Sequence, residues 1–149
     1  MRKILSSLFG LFLWGVSAPL FALTPPLTPE VLQSNSDLVV EAVAQSPIQC
    51  LTLVDSNKCS DIYRYQIPLK IEKVLKGKAK PGDTIPVTFL HYDYEKSHCS
   101  GDQGPLILPG ESGTFYLQAG EKGSYNSFHW SAVKSTRSGT GSLPACPKK

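Results

Sequence analysis

The segment from Ile62 to Gly77 shows the clearest alternation of apolar and polar side chains in the chain. Its apolar residues recur at every second position, which is the period of a β-strand with one buried face. Pro68 interrupts this strand and lacks an N–H, so it predicts a bulge or an edge position. The apolar positions of this strand are Tyr63, Tyr65, Ile67, Leu69 and Ile71.

Similar patterns predict four more strands and one helix. Small Ala residues on the inner face of the first strand, beside Leu38 and Val40, suit a tightly curved barrel. Thr28 before Pro29 is typical of a helix start and predicts a short helix over Pro29–Gln33. With no βαβ alternation, the elements indicate a mainly β fold, an antiparallel barrel or sandwich. The four strands are Ser36–Gln45, Thr84–Tyr92, Gly113–Gln118 and Ser124–Val133, and the segments Ser46–Asp61 and Asp93–Gly104 are interpreted as loops.

The N-terminal segment has the layout of a secretory signal peptide. Arg2 and Lys3 precede an apolar run, and small residues follow it near two possible cleavage ends, Ala18 and Ala22, of which we favour Ala22. A membrane anchor is the alternative, but the run is short for a bilayer span and Pro19 follows it closely. We therefore expect a periplasmic or secreted protein with no membrane association after cleavage.

Charge and cysteine content narrow the class of protein further. Without Arg2 and Lys3, 13 of the 15 basic residues remain against 12 acidic ones, so attraction to nucleic acid or anionic membrane has little support. An even number of cysteines in a small exported domain favours two disulfides, for which three pairings are possible. The strand map favours a Cys50–Cys59 bridge across the mouth of a hairpin, which leaves Cys99 for Cys146.

Four motifs, taken in their order along the chain, carry a family resemblance. They are SDLVVEA from Ser36, the tyrosine-rich strand that ends in EKVLKG at Gly77, GDTIPV from Gly82, and LPGESGTFYL from Leu108. In this order they resemble the N-terminal domain of tissue inhibitors of metalloproteinases (TIMP) and the related netrin modules, most closely the short exported bacterial versions. The resemblance spans about residues 36–133.

The resemblance implies a small closed five-stranded antiparallel OB-like barrel with one short N-terminal helix. In the inhibitors, a disulfide-bonded Cys at the mature N-terminus chelates the protease zinc; here Leu23 or Pro19 would stand there, so that ridge does not carry over. The expected organisation is a signal peptide at 1–22, a proline-rich lead-in with the helix at 23–35, the barrel at 36–133 and a tail at 134–149 tied by a disulfide. The expected function is a non-catalytic protein-binding module, an inhibitor or accessory subunit of an unidentified extracytoplasmic protein.

A periplasmic metal-binding protein is the alternative function. His91, His98 and His129 fall near one another on the predicted strand map, and imidazoles of this kind bind transition metals. Asp93, Glu95 and Asp102 could add oxygen ligands. The competing interpretation is that these histidines are solvated strand ends and that Cys99 is disulfide-bonded, so no cofactor is expected.

No motif marks a catalytic centre, since no serine lies in a G-x-S-x-G elbow, and we do not expect an enzyme. Four aromatic residues near strand ends either form a protein interface or plug the barrel ends. They are Tyr92, Tyr94, Tyr125 and Trp130.

A basic run beside Tyr63 and Tyr65 could bind single-stranded nucleic acid. Export and the near-neutral charge favour a solvated strand edge instead, so no nucleic acid partner is expected. That run comprises Lys70, Lys73, Lys76, Lys78 and Lys80.

Overall fold

The computed structural model describes residues 24–101 and 103–147. The predicted signal peptide, Leu23 and Asp102 lie outside these residues. The elements are helix α1 (Pro29–Ser34) and strands β1 (Leu38–Ala44), β2 (Gln49–Ser56), β3 (Asp61–Lys76), β4 (Thr84–Asp93), β5 (Ser112–Ala119), β6 (Tyr125–Asn126) and β7 (Val133–Arg137). Short 3-10 turns occur at Glu121–Gly123 and Trp130–Ala132.

Five of the strands form a closed barrel in the order β1-β3-β4-β6-β5, and the pairing of β5 with β1 closes the ring. The prediction of a mainly β, closed five-stranded OB-like barrel with one short helix is confirmed. The prediction that it is antiparallel throughout is wrong, because β4 and β6 run parallel. A closed ring with an odd number of strands cannot alternate direction at every pair, so at least one parallel pair is required.

The alternation along β1, β3 and β4 points its apolar positions into one core. The side chains of Leu38, Val40, Ile67, Leu69 and Ile71 are all buried there. Val39, on the opposite face of β1, is also buried, because α1 and the Trp130–Ala132 turn cover that side of the barrel with a second cluster. The helix begins at the predicted cap, where Thr28 Oγ1 accepts a hydrogen bond from Val31 N.

Pro68 occupies the point where β3 changes partner. On one side of β3, β2 pairs as far as Gln66 and β1 pairs from Leu69 onward. The Pro68 carbonyl accepts a hydrogen bond from Gln45 N at 2.8 Å, so the missing N–H faces the gap between β2 and β1. The β3–β4 register continues through the pair Pro68–Pro86 without a shift, so Pro68 causes no bulge against β4, and the gap between β2 and β1 corresponds to the edge position that was the other expectation.

Two segments differ from the predicted strand map. Strand β2 lies within the predicted loop Ser46–Asp61; its apolar side chains do not alternate into the core, so the burial pattern that marks the other strands is missing. The predicted fifth strand Ser124–Val133 instead contains the two-residue β6 and a 3-10 turn, and β7 extends into the predicted tail, where it pairs with β5.

The disulfides join Cys50 to Cys146 and Cys59 to Cys99, so the expected pairing is wrong. Cys50 lies near the start of β2 and Cys59 just beyond its end. A strand rises about 3.3 Å per residue, so β2 separates the two cysteines by roughly 20 Å, whereas bridged Cα atoms lie about 4.4–6.8 Å apart. The bridge to Cys50 ties the C-terminal tail to the barrel.

Candidate functional site

Strand β2 has a free edge. It pairs with β3 along one side, and no strand pairing among the described residues uses its other side. Leu51, Leu53 and Val54 are 45%, 47% and 44% exposed, although large apolar side chains are usually buried. The register of β2 against β3 shifts twice along this stretch, which breaks the simple inward–outward alternation. The strand therefore presents aliphatic side chains beside a backbone edge that no described strand pairs with.

Both disulfides hold this strand in place. The Cys50–Cys146 bond joins the start of β2 to the tail. The Cys59–Cys99 bond lies three residues beyond Ser56, at the other end of β2. An edge strand with few core contacts would otherwise be among the most mobile parts of a fold. The two bonds restrict this motion.

Polar contacts reinforce the second of these anchors. Lys96 of the β4–β5 connection forms an ion pair with Asp61 and donates a hydrogen bond to Ser56 Oγ at 3.0 Å. Ser97 Oγ donates to the carbonyl of Cys59 in the β2–β3 connection. Hydrogen bonds from Lys96 and then Ser56 lower the pKa of the Asp61 carboxyl. The two connections therefore act as one unit at this end of the barrel.

A cavity of about 360 Å³ lies on the outer face of β3 and β4. Thr88, Leu90 and Tyr92 alternate with the core-facing Val87 and Phe89, so their side chains share the outer face of β4. The chain that leaves β6 and the Gln103–Pro105 segment form the remaining walls. The lining residues are Thr24, Arg64, Thr88, Phe89, Leu90, Tyr92, Gln103, Gly104, Pro105, Asn126, Ser127, Phe128, His129 and Trp130.

The Gln103–Pro105 wall packs directly against β4. A Cβ atom added to Gly104 would lie 2.0 Å from the Leu90 carbonyl oxygen, closer than any side chain can approach. Glycine at this position lets the loop pass against the strand and close that side of the cavity. Trp130, which also lines the cavity, is held by a hydrogen bond from its indole N–H to the Thr24 carbonyl at 3.0 Å.

Ser127 and His129 line this cavity, and each has a buried polar atom, Ser127 Oγ and His129 Nε2, with no hydrogen-bond partner among the described residues. Ser127 is only 6% exposed. The other His129 nitrogen, Nδ1, accepts a hydrogen bond from Ser131 N at 3.1 Å, so it carries no proton. In the neutral ring the proton therefore resides on Nε2, which is a donor. Buried polar groups are normally paired, so these two atoms mark a polar site.

The predicted aromatic interface is divided by the structure. Tyr92 and Trp130 line the same cavity, and Trp130 is 42% exposed. Tyr125, in β6, packs against the barrel core and closes the barrel instead. Tyr94 lies in the β4–β5 connection next to Gly101. Two of the four residues thus share a site, and one has the alternative role of filling the barrel.

The three histidines of the metal hypothesis do not form one group. His91 lies in β4 beside the ring of Tyr65, His98 lies in the connection before Cys99, and His129 lines the cavity. Within the described ranges, no three His, Cys, Asp or Glu side chains are placed to hold a metal ion. Asp93 and Glu95 do not change this finding, and the suggested ligand Asp102 lies outside the described residues.

The two tyrosines beside the basic run face the barrel core. Tyr65 faces the core and is 4% exposed, so its ring is inaccessible to a base, and Tyr63 is half-buried on the same side. Lys73 lies 3.9 Å from Glu41, and Lys76 donates a hydrogen bond to the Gln33 carbonyl near the end of α1. Two of the five lysines thus contact other parts of the chain.

Sequence reasoning did not identify Ser127, Arg64 or the β2 edge as functional candidates. A buried serine without a partner has no signature in sequence, because its partners depend on which strands become neighbours. The sequence did contain one signal for β2, the three aliphatic residues Leu51, Leu53 and Val54. Three aliphatic residues within six positions are unusual in a solvated loop and favour a strand.

Comparisons with family models, with curated proteins and with solved structures find no match to this chain. In residues 24–101 and 103–147, no helix has the length and apolar character needed to cross a bilayer. The two disulfides are consistent with a location outside the reducing cytoplasm.

Proposed function

We propose that this protein is an exported, non-catalytic binding module that pairs an extended segment of another extracytoplasmic protein with the free edge of β2. The observation that carries this proposal is the exposed aliphatic edge strand held at both ends by disulfides. In this role the protein acts as an inhibitor or accessory subunit, and its compartment is the periplasm or the exterior of the cell.

Strand addition supplies both affinity and selectivity. The unpaired N–H and C=O groups of an edge strand form ladder hydrogen bonds with any extended chain, and side-chain contacts select which chain binds. Leu51, Leu53 and Val54 favour a partner segment with apolar side chains. Natural proteins usually protect exposed edges with charge, proline or cover, and a long uncovered apolar edge is a liability unless a partner covers it.

Rigidity of the edge supports the same proposal. Ordering a flexible strand on binding costs conformational entropy, and preorganisation removes that cost. The Cys50–Cys146 and Cys59–Cys99 bonds order β2 before any partner arrives. An oxidising compartment is required for these bonds, which agrees with the signal peptide predicted at residues 1–22.

The test uses a library of extended peptides displayed on phage, selected on the mature, oxidised protein. Selected peptides should protect β2 amides from hydrogen exchange. The double variant Leu51→Lys/Leu53→Lys should weaken their binding at least about tenfold, because two apolar contacts are lost. The matched control is Leu75→Lys/Leu106→Lys, which places the same charges at positions 44% and 50% exposed elsewhere; it should leave binding unchanged.

Two results would contradict the proposal. Peptides that bind but protect segments other than β2 from hydrogen exchange would show that the interface lies elsewhere on the protein. A homodimer that the Leu51→Lys/Leu53→Lys variant dissociates, detected by sedimentation, would identify a second copy of this chain as the occupant of the edge. Both variants should unfold within about 0.5 kcal/mol of the native protein, since the substituted side chains are exposed.

A further inference from the structure

We propose that the cavity on the outer face of β3 and β4 is a binding site for a small aromatic carboxylate. This site is separate from the β2 edge, and its argument does not depend on the proposed protein partner. The cavity volume of about 360 Å³ falls in the range of small-molecule sites, about 300–1,000 Å³, at the end suited to a ligand with a single ring.

The walls are suited to an aromatic ring. Tyr92, Phe128 and Trp130 contribute three aromatic side chains to one small cavity. Aromatic rings pack against each other in offset or edge-to-face arrangements that add to the energy of simple burial. The indole of Trp130 is oriented by its hydrogen bond to the Thr24 carbonyl, and the adjacent His129 ring lies with its centroid 5.6 Å away.

The polar groups favour a ligand that accepts hydrogen bonds. His129 Nε2–H is a donor because backbone Ser131 N–H occupies Nδ1, and Ser127 Oγ can donate as well. Both atoms lack a partner among the described residues and each exposes less than 1 Å², so an acceptor that enters the cavity reaches them by displacing the groups that cover them, and it then satisfies donors that burial otherwise penalises. Ser131 Oγ also contacts Nδ1 at 2.7 Å and accepts from Leu27 N, which holds the imidazole in this orientation.

Charge selects an anion over a neutral acceptor. Arg64, an exposed residue, is the one cation among the described residues that line the cavity, and this lining contains no Asp or Glu. Arg64 forms no ion pair with another described residue. A carboxylate matches a guanidinium with paired, charge-assisted hydrogen bonds and has further lone pairs for the buried donors. An aromatic ring that carries a carboxylate therefore complements both the walls and the polar groups.

The experiment is a titration of the oxidised mature protein with benzoate, benzamide and benzylamine, followed by NMR. Benzoate should bind saturably with a dissociation constant of about 1 mM or lower, as expected for a ligand of this size. Its addition should shift the Trp130 indole and His129 Nε2 signals, and a long-range ¹H–¹⁵N spectrum should show the Nε2–H tautomer. Benzamide should bind about tenfold more weakly, because it lacks the charge.

Variants locate the site. Arg64→Gln should weaken benzoate binding about tenfold, and Ser127→Ala should weaken it severalfold. The control Lys70→Gln removes a positive charge from an exposed position elsewhere on β3 and should leave binding unchanged. Arg64→Gln should affect benzoate more than benzamide, which a general disturbance of the cavity would not produce.

Three outcomes overturn the proposal. If benzoate does not bind at any soluble concentration, the cavity is not a site for an aromatic carboxylate. If benzylamine or benzamide binds as well as benzoate, the site does not select an anion. If benzoate binds equally to the native protein, Arg64→Gln and Ser127→Ala, it binds elsewhere. None of these results bears on the β2 edge, whose test uses other variants and another probe.

Discussion

Tyr65 connects the interior of the barrel with the C-terminal tail. Its ring stacks on Phe89 in the core, and its hydroxyl donates a hydrogen bond to the Pro144 carbonyl at 3.1 Å. Cys146 Sγ lies 3.4 Å from the same hydroxyl oxygen. Burial raises the pKa of the Tyr65 phenol, and the nearby Tyr63 and Asp93 raise it further. One side chain thus contributes to core packing, to tail attachment and to a loss of stability in alkaline solution.

The first prediction concerns Tyr65→Phe. Loss of the hydrogen bond to Pro144 should lower the free energy of unfolding by about 0.5–1.5 kcal/mol at neutral pH. Because the folded pKa is raised, the native stability is complete below the unfolded value of about 10 and declines as the pH rises toward the folded value. The variant should lack this decline, so the difference between the two proteins should shrink in alkaline solution.

Urea unfolding between pH 7 and pH 11 measures this difference. The matched control is Tyr63→Phe, two residues earlier on the same face of β3, whose hydroxyl makes no hydrogen bond with another described residue. A Tyr65→Phe variant with the same stability and the same alkaline profile as Tyr63→Phe would show that the Tyr65 hydroxyl does not hold the tail.

At the scale of elements, β2 and the tail depend on each other. Neither contributes a fully buried apolar side chain to the barrel, yet Leu143 and Cys146 of the tail pack against the core cluster, as does Cys50. The Cys50–Cys146 bond spans 96 positions and the Cys59–Cys99 bond 40. The longer bond therefore constrains more of the unfolded chain, while both keep the β2 edge in place.

The second prediction compares the two bonds. On the chain-entropy estimate, removing Cys50–Cys146 by a pair of Cys→Ala substitutions should cost about 4.7 kcal/mol, and removing Cys59–Cys99 about 3.9 kcal/mol. Hydrogen exchange should increase along β2 in both variants, but along residues 138–147 in the first one alone. A non-reducing peptide map should recover Cys50 with Cys146, and a peptide that joins Cys50 to Cys59 would contradict the assignment.

For the whole molecule, closure of the barrel depends on the short parallel contact between β4 and β6. Only two residue pairs form this ladder, Val87 with Tyr125 and Thr88 with Asn126. The buried Thr88 hydroxyl donates a hydrogen bond to Asn126 Oδ1, and Ser127 N donates to the Thr88 carbonyl at 2.9 Å. We call this two-pair ladder the β4–β6 seam. Because it is so short, it relies on side-chain contacts that longer strand pairs do not need.

The third prediction tests this seam with Thr88→Val. The substitution keeps the shape of the side chain but leaves Asn126 Oδ1 without its donor, so unfolding should become easier by about 1–3 kcal/mol. The amide of Ser127 should exchange faster with solvent. Thr84→Val, at the exposed start of the same strand, is the control and should have little effect. Equal losses in the two variants would show that the seam does not depend on Thr88.

The sequence determined the local part of this structure. The alternation along β1, β3 and β4 predicts which side chains face the core, because successive residues of a strand point to opposite faces whatever their neighbours are. The Thr28–Pro29 start of α1 is likewise set by groups within one turn. An odd number of strands in a closed ring even implies the parallel pair, although the sequence does not say which strands form it.

The tertiary structure alone decided the features that carry the proposed functions. The pairing of Cys50 with Cys146 depends on β2 being a strand, which its own pattern does not indicate. The cavity brings Arg64 of β3 together with Ser127 and His129, more than 60 positions away. Such neighbours result from strand order and from the path of connecting segments, which depend on contacts between distant parts of the chain rather than on any local period.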